Sequence, residues 1–222
     1  MWLSISTFND IKRIYQNKIL NWAEKNLKIY SWRLDRNPYK VLISEILLVR
    51  TKASQVVQSY NKFLKKYPTI NDFYGLKLDE VREIIKPLGL LFRANYIKTI
   101  SNQIQNEFKG KIPNNFEDLK SLKGIGKYSA NAILCFGYGK KRPLVDSNFI
   151  RVYKRVFNIF ARTKTAKNDK FLWAFAEKIL PNMQYIKYNY AILDLGGNIC
   201  LSRNPKCYLC PVNKICYFFN RD

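Results

Sequence analysis

The chain contains no histidine. That absence excludes Ser-His-Asp and Cys-His catalysis, histidine general bases and mixed Cys/His zinc sites. Acid–base chemistry must come from carboxylates, Tyr, Lys or Cys. Acidic residues are scarce as well: 16 Asp and Glu stand against 39 Lys and Arg, a formal net charge of +23 in 222 residues. Such an excess points to a polyanionic partner, nucleic acid before others, the plain alternative being a soluble basic protein. Long apolar runs are missing, because Asn, Gly or Asp breaks each before it reaches the length of a membrane span. No apolar targeting segment follows Met1. No membrane association is expected, and an intracellular, reducing, cytoplasmic location follows. Strand-like alternation is rare, and neither an internal repeat nor a low-complexity linker is present.

What is there reads as helix. Apolar residues Phe8, Ile11, Ile14, Tyr15, Ile19, Trp22 and Ala23 recur at helical spacing, with Thr7 as the expected N-cap. Asn37-Pro38 opens a second helix carrying Val41, Leu42, Glu45, Ile46 and Leu48. Further periodic segments cover about 52–66, 78–86, 93–108, 116–121, 127–137, 147–158 and 169–180, separated by proline and glycine punctuation. The fold class is all-α.

Five cysteines are present. Cys200, Cys207, Cys210 and Cys216 are separated by six, two and five residues. All-thiolate ligation suits a structural zinc or an iron–sulfur cluster. Zinc sites usually come as two short Cys pairs, and only Cys207 and Cys210 form one, so the uneven spacing favours a cubane cluster. Disulfides are disfavoured, since Cys135 would be left over. Cys135 itself reads as a buried helix residue.

Residues 119–136, LKSLKGIGKYSANAILCF, form a hairpin between two helices. Gly124 and Gly126 permit positive φ and close approach of another backbone. They also leave amides at the next helix start that suit a phosphate oxygen, the plain alternative being a helix–turn–helix connection that binds nothing. Ile125 is expected to pack inward. Asp146 follows in LVDSNFIRVYKR at the mouth of the next helix, where a plain N-cap is the alternative to a catalytic role.

The combination LKGIGKYSANA, VDSNFIRV and the four-cysteine loop resembles the endonuclease III superfamily of DNA glycosylases, from about Ser31 to Cys216. The resemblance implies two helical domains flanking a DNA-binding cleft. A six-helix barrel with a helix–hairpin–helix motif takes about 31–141. An iron–sulfur domain takes 1–30 with 142–222, its [4Fe-4S] cluster held by the four cysteines. Family members that cleave the backbone carry a lysine where this chain has Tyr128. Lys127 is adjacent, but one helical step turns a side chain by about 100°, so it is expected to face phosphates. A phenol forms no imine, and strong lyase activity is not expected. SEILLVRT resembles the adenine-glycosylase segment, with Glu45 at its catalytic glutamate. Thymine glycosylases acting on T·G mismatches fit better than adenine glycosylases of the MutY type. The chain stops six residues after Cys216, Val49-Arg50 replaces a Gln pair, and ILLVRT and GKYSANAILCF are closer to the thymine pattern.

The resemblance also assigns roles. Asp146 faces the positive charge that develops on the sugar or directs a water. Glu45, buried on an apolar helix with a raised pKa, contacts the base or a water. Tyr128 lines the base pocket. Arg50 enters the duplex from one side and Leu90 wedges the opposite strand, the alternatives being a salt bridge for Arg50 and core packing for Leu90. Asn148 holds Asp146 or a phosphate. Arg203, Lys206 and Lys214 meet phosphates, and Lys140, Lys141 and Arg142 form a second basic patch that surface solvation would equally explain. The expected partner is double-stranded DNA with a mismatched or damaged base, bound by a monomer. The expected host is prokaryotic, an archaeon. The rival readings are an adenine glycosylase, a bifunctional glycosylase/lyase, a non-catalytic DNA-binding module and an electron-transfer protein.

Overall fold

The computed structural model describes residues 8–221, and among these residues the chain is helical with no strand. The expected cap Thr7 lies outside the described residues. The helices are α1 (Phe8–Asn26), α2 (Ser31–Leu34), α3 (Pro38–Leu48), α4 (Ala53–Lys66), α5 (Ile70–Tyr74), α6 (Leu78–Ile85), α7 (Phe92–Glu107), α8 (Phe116–Ser121), α9 (Lys127–Ala132), α10 (Ser147–Phe157), α11 (Lys170–Ile179) and α12 (Tyr185–Asn198). The chain divides into two compact units, Ile29–Lys140 and the residues up to Lys28 with those from Lys141.

Short polar side chains start many of these helices by accepting from amides that lack an intrahelical partner. Asn37 accepts from Tyr39 N at 2.9 Å, with Pro38 preset for the first turn. Thr69 and Asp72 form a reciprocal capping box on α5. Asn115 accepts from Asp118 N at 3.0 Å on α8, and Asp169 from Leu172 N at 2.9 Å on α11.

In the unit Ile29–Lys140, α3 is the central rod. Every residue from Val41 to Leu47 is buried, Ser44 and Glu45 included. A helix buried on all faces needs neighbours on all faces, and α4, α7, α9 and the turn after α9 supply them. Phe63, Phe73, Val81 and Ile97 fill the surrounding layer at 0% exposure, each such side chain contributing about 1.5–3 kcal/mol of transfer free energy. The sequence predicts one helix over 127–137. The structure instead switches from α-helix to a π turn at Ile133–Gly137, with Tyr138 N donating to Ile133 O at 3.2 Å. That turn ends at a close crossing: a Cβ on Gly137 would lie 2.9 Å from Pro38 Cα at the start of α3.

In the other unit, α12 packs on both α1 and α10. Tyr15 on α1 meets Phe157 edge-on at 4.8 Å and Tyr188 at 6.2 Å, and Tyr153 meets Phe175 at 5.1 Å. Asp194 Oδ2 accepts from Lys28 N at 2.8 Å, which ties the chain beyond α1 to α12. Helix α12 is absent from the sequence-derived segments. It starts on Gln184 in the left-handed region, with no side-chain cap, and Gly196-Gly197 near its end reads as a turn.

Gly137→Ala is expected to lower stability by about 1–3 kcal/mol, because the clash is with backbone that cannot rotate away. Urea unfolding followed by circular dichroism measures it.

Candidate active site and cysteine cavity

The unit Ile29–Lys140 carries the hairpin. Gly124 adopts φ +78°, and a Cβ there would sit 2.5 Å from the Tyr96 ring. Only glycine meets both demands. Gly126 has an ordinary φ of −92° and caps α9, and a Cβ on it would meet nothing within 4 Å. The chain's own packing therefore leaves open space over Gly126. Ile125 is 5% exposed and Leu122 1%, so the turn is pinned from inside as expected. Gln103 on α7 holds it from the side, accepting from Lys123 N at 2.8 Å. Lys127 and Tyr128 open α9, both half-buried. Glu45 lies within α3 and is buried.

Arg50 and Leu90 sit at the tips of two turns with φ +56° and +49°. Arg50 is exposed. Leu90 is partly exposed and is not among the fully buried core residues. Val49, Leu91 and Phe92 beside them are exposed apolar side chains.

In the other unit, Asp146 is the N-cap of α10. Its Oδ1 accepts from Asn148 N at 2.8 Å and Phe149 N at 3.0 Å, and its Oδ2 from Asn148 Nδ2 at 2.9 Å. A carboxylate offers roughly four acceptor sites, so Oδ2 keeps capacity for a further donor. Burial raises the Asp146 pKa above the ordinary carboxylate value. The Phe149 and Asn148 amides, the Asn148 side chain and the Arg151 charge oppose that rise. The helix N-terminus also favours the anion. Cap and reactive carboxylate are thus compatible descriptions of one residue.

Arg151 was not singled out by sequence reasoning, although it stands three residues after Asn148 on the same helix. Its Nη2 donates to Asn148 Oδ1 at 2.8 Å and to Gly196 O at 2.7 Å, and its Nε to Cys200 O at 2.6 Å. Gly196 has to be glycine, since a Cβ would lie 2.5 Å from Asn148 Cβ. The Asp146 carboxylate is thereby joined through Asn148 and Arg151 to the start of the cysteine loop.

Cys200, Cys207, Cys210 and Cys216 line one cavity with apolar Val156, Leu195 and Val212. Burial pushes the Cys210 thiol up to about 12 and raises that of Cys216. Arg155 Nη1 lies 3.5 Å from Cys200 Sγ and also donates to Leu201 O at 2.6 Å. Among the described residues, no group of three or more His, Cys, Asp or Glu stands close enough to hold a single metal ion. The four thiols nonetheless line one cavity, and an all-sulfur donor set suits zinc or iron–sulfur chemistry. A cationic centre would also draw off the protons that burial retains.

Arg203, Lys206 and Lys214 are exposed on the cysteine loop. Lys140 Nζ donates to Asn114 O, and Lys141 Nζ to Asn182 Oδ1 at 2.6 Å, so these two lysines are tied down within their own units. No helix among the described residues is long and apolar enough to cross a membrane.

Residues 43–178 match the HhH-GPD superfamily of base excision DNA repair proteins. The chain is 35% identical to a thymine/uracil-DNA glycosylase of Pyrobaculum aerophilum, over 93% of this chain and 92% of that one. It is 37% identical to a thymine-DNA glycosylase of Aeropyrum pernix, over 93% and 95%. An adenine DNA glycosylase of Buchnera aphidicola is 36% identical over 91% of this chain and 58% of its own length. The structure superposes on that of a thermostable thymine-DNA glycosylase with a TM-score of 0.89, at 33% identity and 96% and 99% coverage. A trapped endonuclease III–DNA covalent intermediate shares the fold, with a TM-score of 0.80 at 21% identity over 94% and 95% of the two chains.

Because burial raises the Asp146 pKa, its carboxyl is expected to titrate above the reference value of about 3.9. The anion is then lost as pH falls through that higher value. Asn148→Ala deletes a bond that favours the anion and moves the midpoint further up. A carbon-13 NMR titration of the Asp146 carboxyl checks both shifts.

Proposed function

The chain belongs to the HhH-GPD superfamily of base excision DNA repair proteins, and from that premise we propose that it is a monofunctional DNA glycosylase that removes thymine or uracil mispaired with guanine. DNA glycosylase chemistry follows from the family and from relatives matched along nearly their whole length. The observation that carries the catalytic assignment is Asp146, a half-buried carboxylate fixed by three hydrogen bonds and still able to accept another.

A duplex hides the glycosidic bond, so the target nucleotide must turn out of the stack. A T·G wobble leaves the stack more readily than a correct pair, which supplies part of the selectivity. Arg50 and Leu90 occupy the space it vacates. As the bond breaks, the sugar gains positive charge, and Asp146 stabilises that charge or orients the attacking water. Its fixed hydrogen bonds mean that little reorganisation is needed at that moment. Tyr128, at the start of α9, borders the base and supplies no amine for a Schiff base. Glu45, buried in α3, contacts the base edge or a water. The hairpin amides at Gly124 and Gly126, with Lys127, hold a phosphate, and Arg203 and Lys206 hold others. The protein acts as a monomer in the cytoplasm, on nucleoid DNA.

Cys200, Cys207, Cys210 and Cys216 hold a [4Fe-4S] cluster in this reading. The cluster supplies a rigid cross-link to the loop that carries Arg203 and Lys206. Base hydrolysis requires no redox step, so its role is structural or that of a sensor for DNA association.

The Glu45 position and the adenine relatives keep one alternative in view, removal of adenine. Single-turnover base release from duplexes bearing T·G, U·G and A·8-oxoguanine, each read with and without alkali, decides between them. Release from T·G or U·G with strand scission only after alkali is expected, and Asp146→Asn should slow it roughly a hundredfold or more. Release from the adenine duplex alone would transfer the protein to the other activity. Cys210→Ala is expected to lower bound iron and sulfide and to depress the melting temperature, because metal binding at such sites is coupled to folding; iron analysis and calorimetry read the two effects.

A further inference from the structure

Arg93, near the start of α7, is among the largest fully buried side chains, at 1% exposure. No carboxylate pairs with it among the described residues. Its guanidinium donates instead from Nη1 to Leu47 O, and from Nη2 to Val49 O and Thr51 Oγ1, each at 2.6 Å. Those carbonyls belong to the C-terminal end of α3, where helix carbonyls lack partners and the macrodipole is negative. The backbone around Arg93 holds a second turn: Arg93 N donates to Leu90 O at 3.1 Å and Ala94 N to Leu91 O at 3.0 Å. One residue therefore grips the turn bearing Arg50 and the turn bearing Leu90.

Both turn tips adopt a conformation that non-glycine residues rarely take, φ +56° at Arg50 and +49° at Leu90. Such conformations persist where the surroundings over-determine them. A buried guanidinium without an anion is a costly way to hold a core together, and an apolar residue of similar volume would usually be as stable. What an apolar residue cannot do is bond three acceptors at once. The planar fork of arginine does so with fixed geometry.

We propose that Arg93 is a positioning residue that sets the spacing of Arg50 and Leu90, so that both enter the duplex together as the target nucleotide leaves it. The same helix bears Tyr96, packed over Gly124, and Gln103, bonded to Lys123 N. Helix α7 is thus the common mount for both turns and the hairpin. The inference rests on the glycosylase reading above, and its test separates the two.

The test compares wild type with Arg93→Met, Arg93→Lys and Thr51→Val. A 2-aminopurine beside the target thymine reports unstacking, independently of base release. Base release is timed on a T·G duplex and on one with thymine opposite an abasic site, where the base is already loosely stacked. Arg93→Met is expected to suppress the fluorescence rise and to slow T·G release roughly tenfold to a hundredfold, with a smaller loss on the abasic duplex. Arg93→Lys and Thr51→Val should shift the same readouts less. Wild-type behaviour in Arg93→Met, or an equal loss on both duplexes, overturns the proposal. If Arg93→Met does not fold by circular dichroism, the other two variants decide by the same criterion. Failure of the wild type to release any base would defeat the glycosylase reading, while the fluorescence would still report on Arg93.

Discussion

A carboxylate that loses most of its water has to be given other donors, and in the unit that contains Asp146 much of the structure serves that need. The first turn of α10 offers two amides, and Asn148 offers a third donor. Asn148 is itself held by Arg151, which also grips Gly196 O on α12 and Cys200 O at the start of the cysteine loop. The glycine at position 196 exists to admit Asn148. Burial raises the affinity of Asp146 for a proton, and the donors counter that rise. The residue stays fixed without being neutralised by a directly paired cation.

Arginines bonded to backbone carbonyls recur in both units. Arg93, Arg151 and Arg155 are each satisfied largely by main-chain oxygens. In a chain with 39 basic and 16 acidic residues, most cations have to find acceptors other than carboxylates. Carbonyls left over at helix ends and in loops are the available acceptors. Where an arginine reaches two segments, it fixes the distance between them, and it does so at turns that would otherwise be free to move.

The sequence carried much of this with little ambiguity. Asn37-Pro38 announced α3, the Gly-Ile-Gly turn announced the hairpin, and the aspartate before an apolar-periodic run announced the cap of α10. These are local signals, set by residues within a few positions of one another. Helix α12 escaped because its start has no side-chain cap and Gly196 answers a contact with Asn148, distant in sequence. Gly137, at the end of the π turn, likewise answers a crossing with Pro38 that is distant in sequence. The cysteine spacing pointed to a metal-binding loop but could not supply Arg151 or Arg155, whose acceptors on α12 and the cysteine loop lie 45 or more positions away. Arg93 looked like one more basic residue in a basic chain, and only its burial separates it from the rest.

Carbonyl bonding also makes the grip of the buried Arg93 insensitive to ionic strength. Mobile ions screen the attraction between opposite net charges over a distance of about 8 Å at physiological salt. A guanidinium seated in a dry pocket against neutral oxygens presents no exposed ion pair for them to weaken. Contacts from surface lysines and arginines to phosphates are the opposite case, since each displaces counterions. Concentrated salt should therefore strip the protein from a nucleic acid long before it loosens the Arg50 and Leu90 turns or the Asp146 cap, and the protein released should be ready to bind again on dilution.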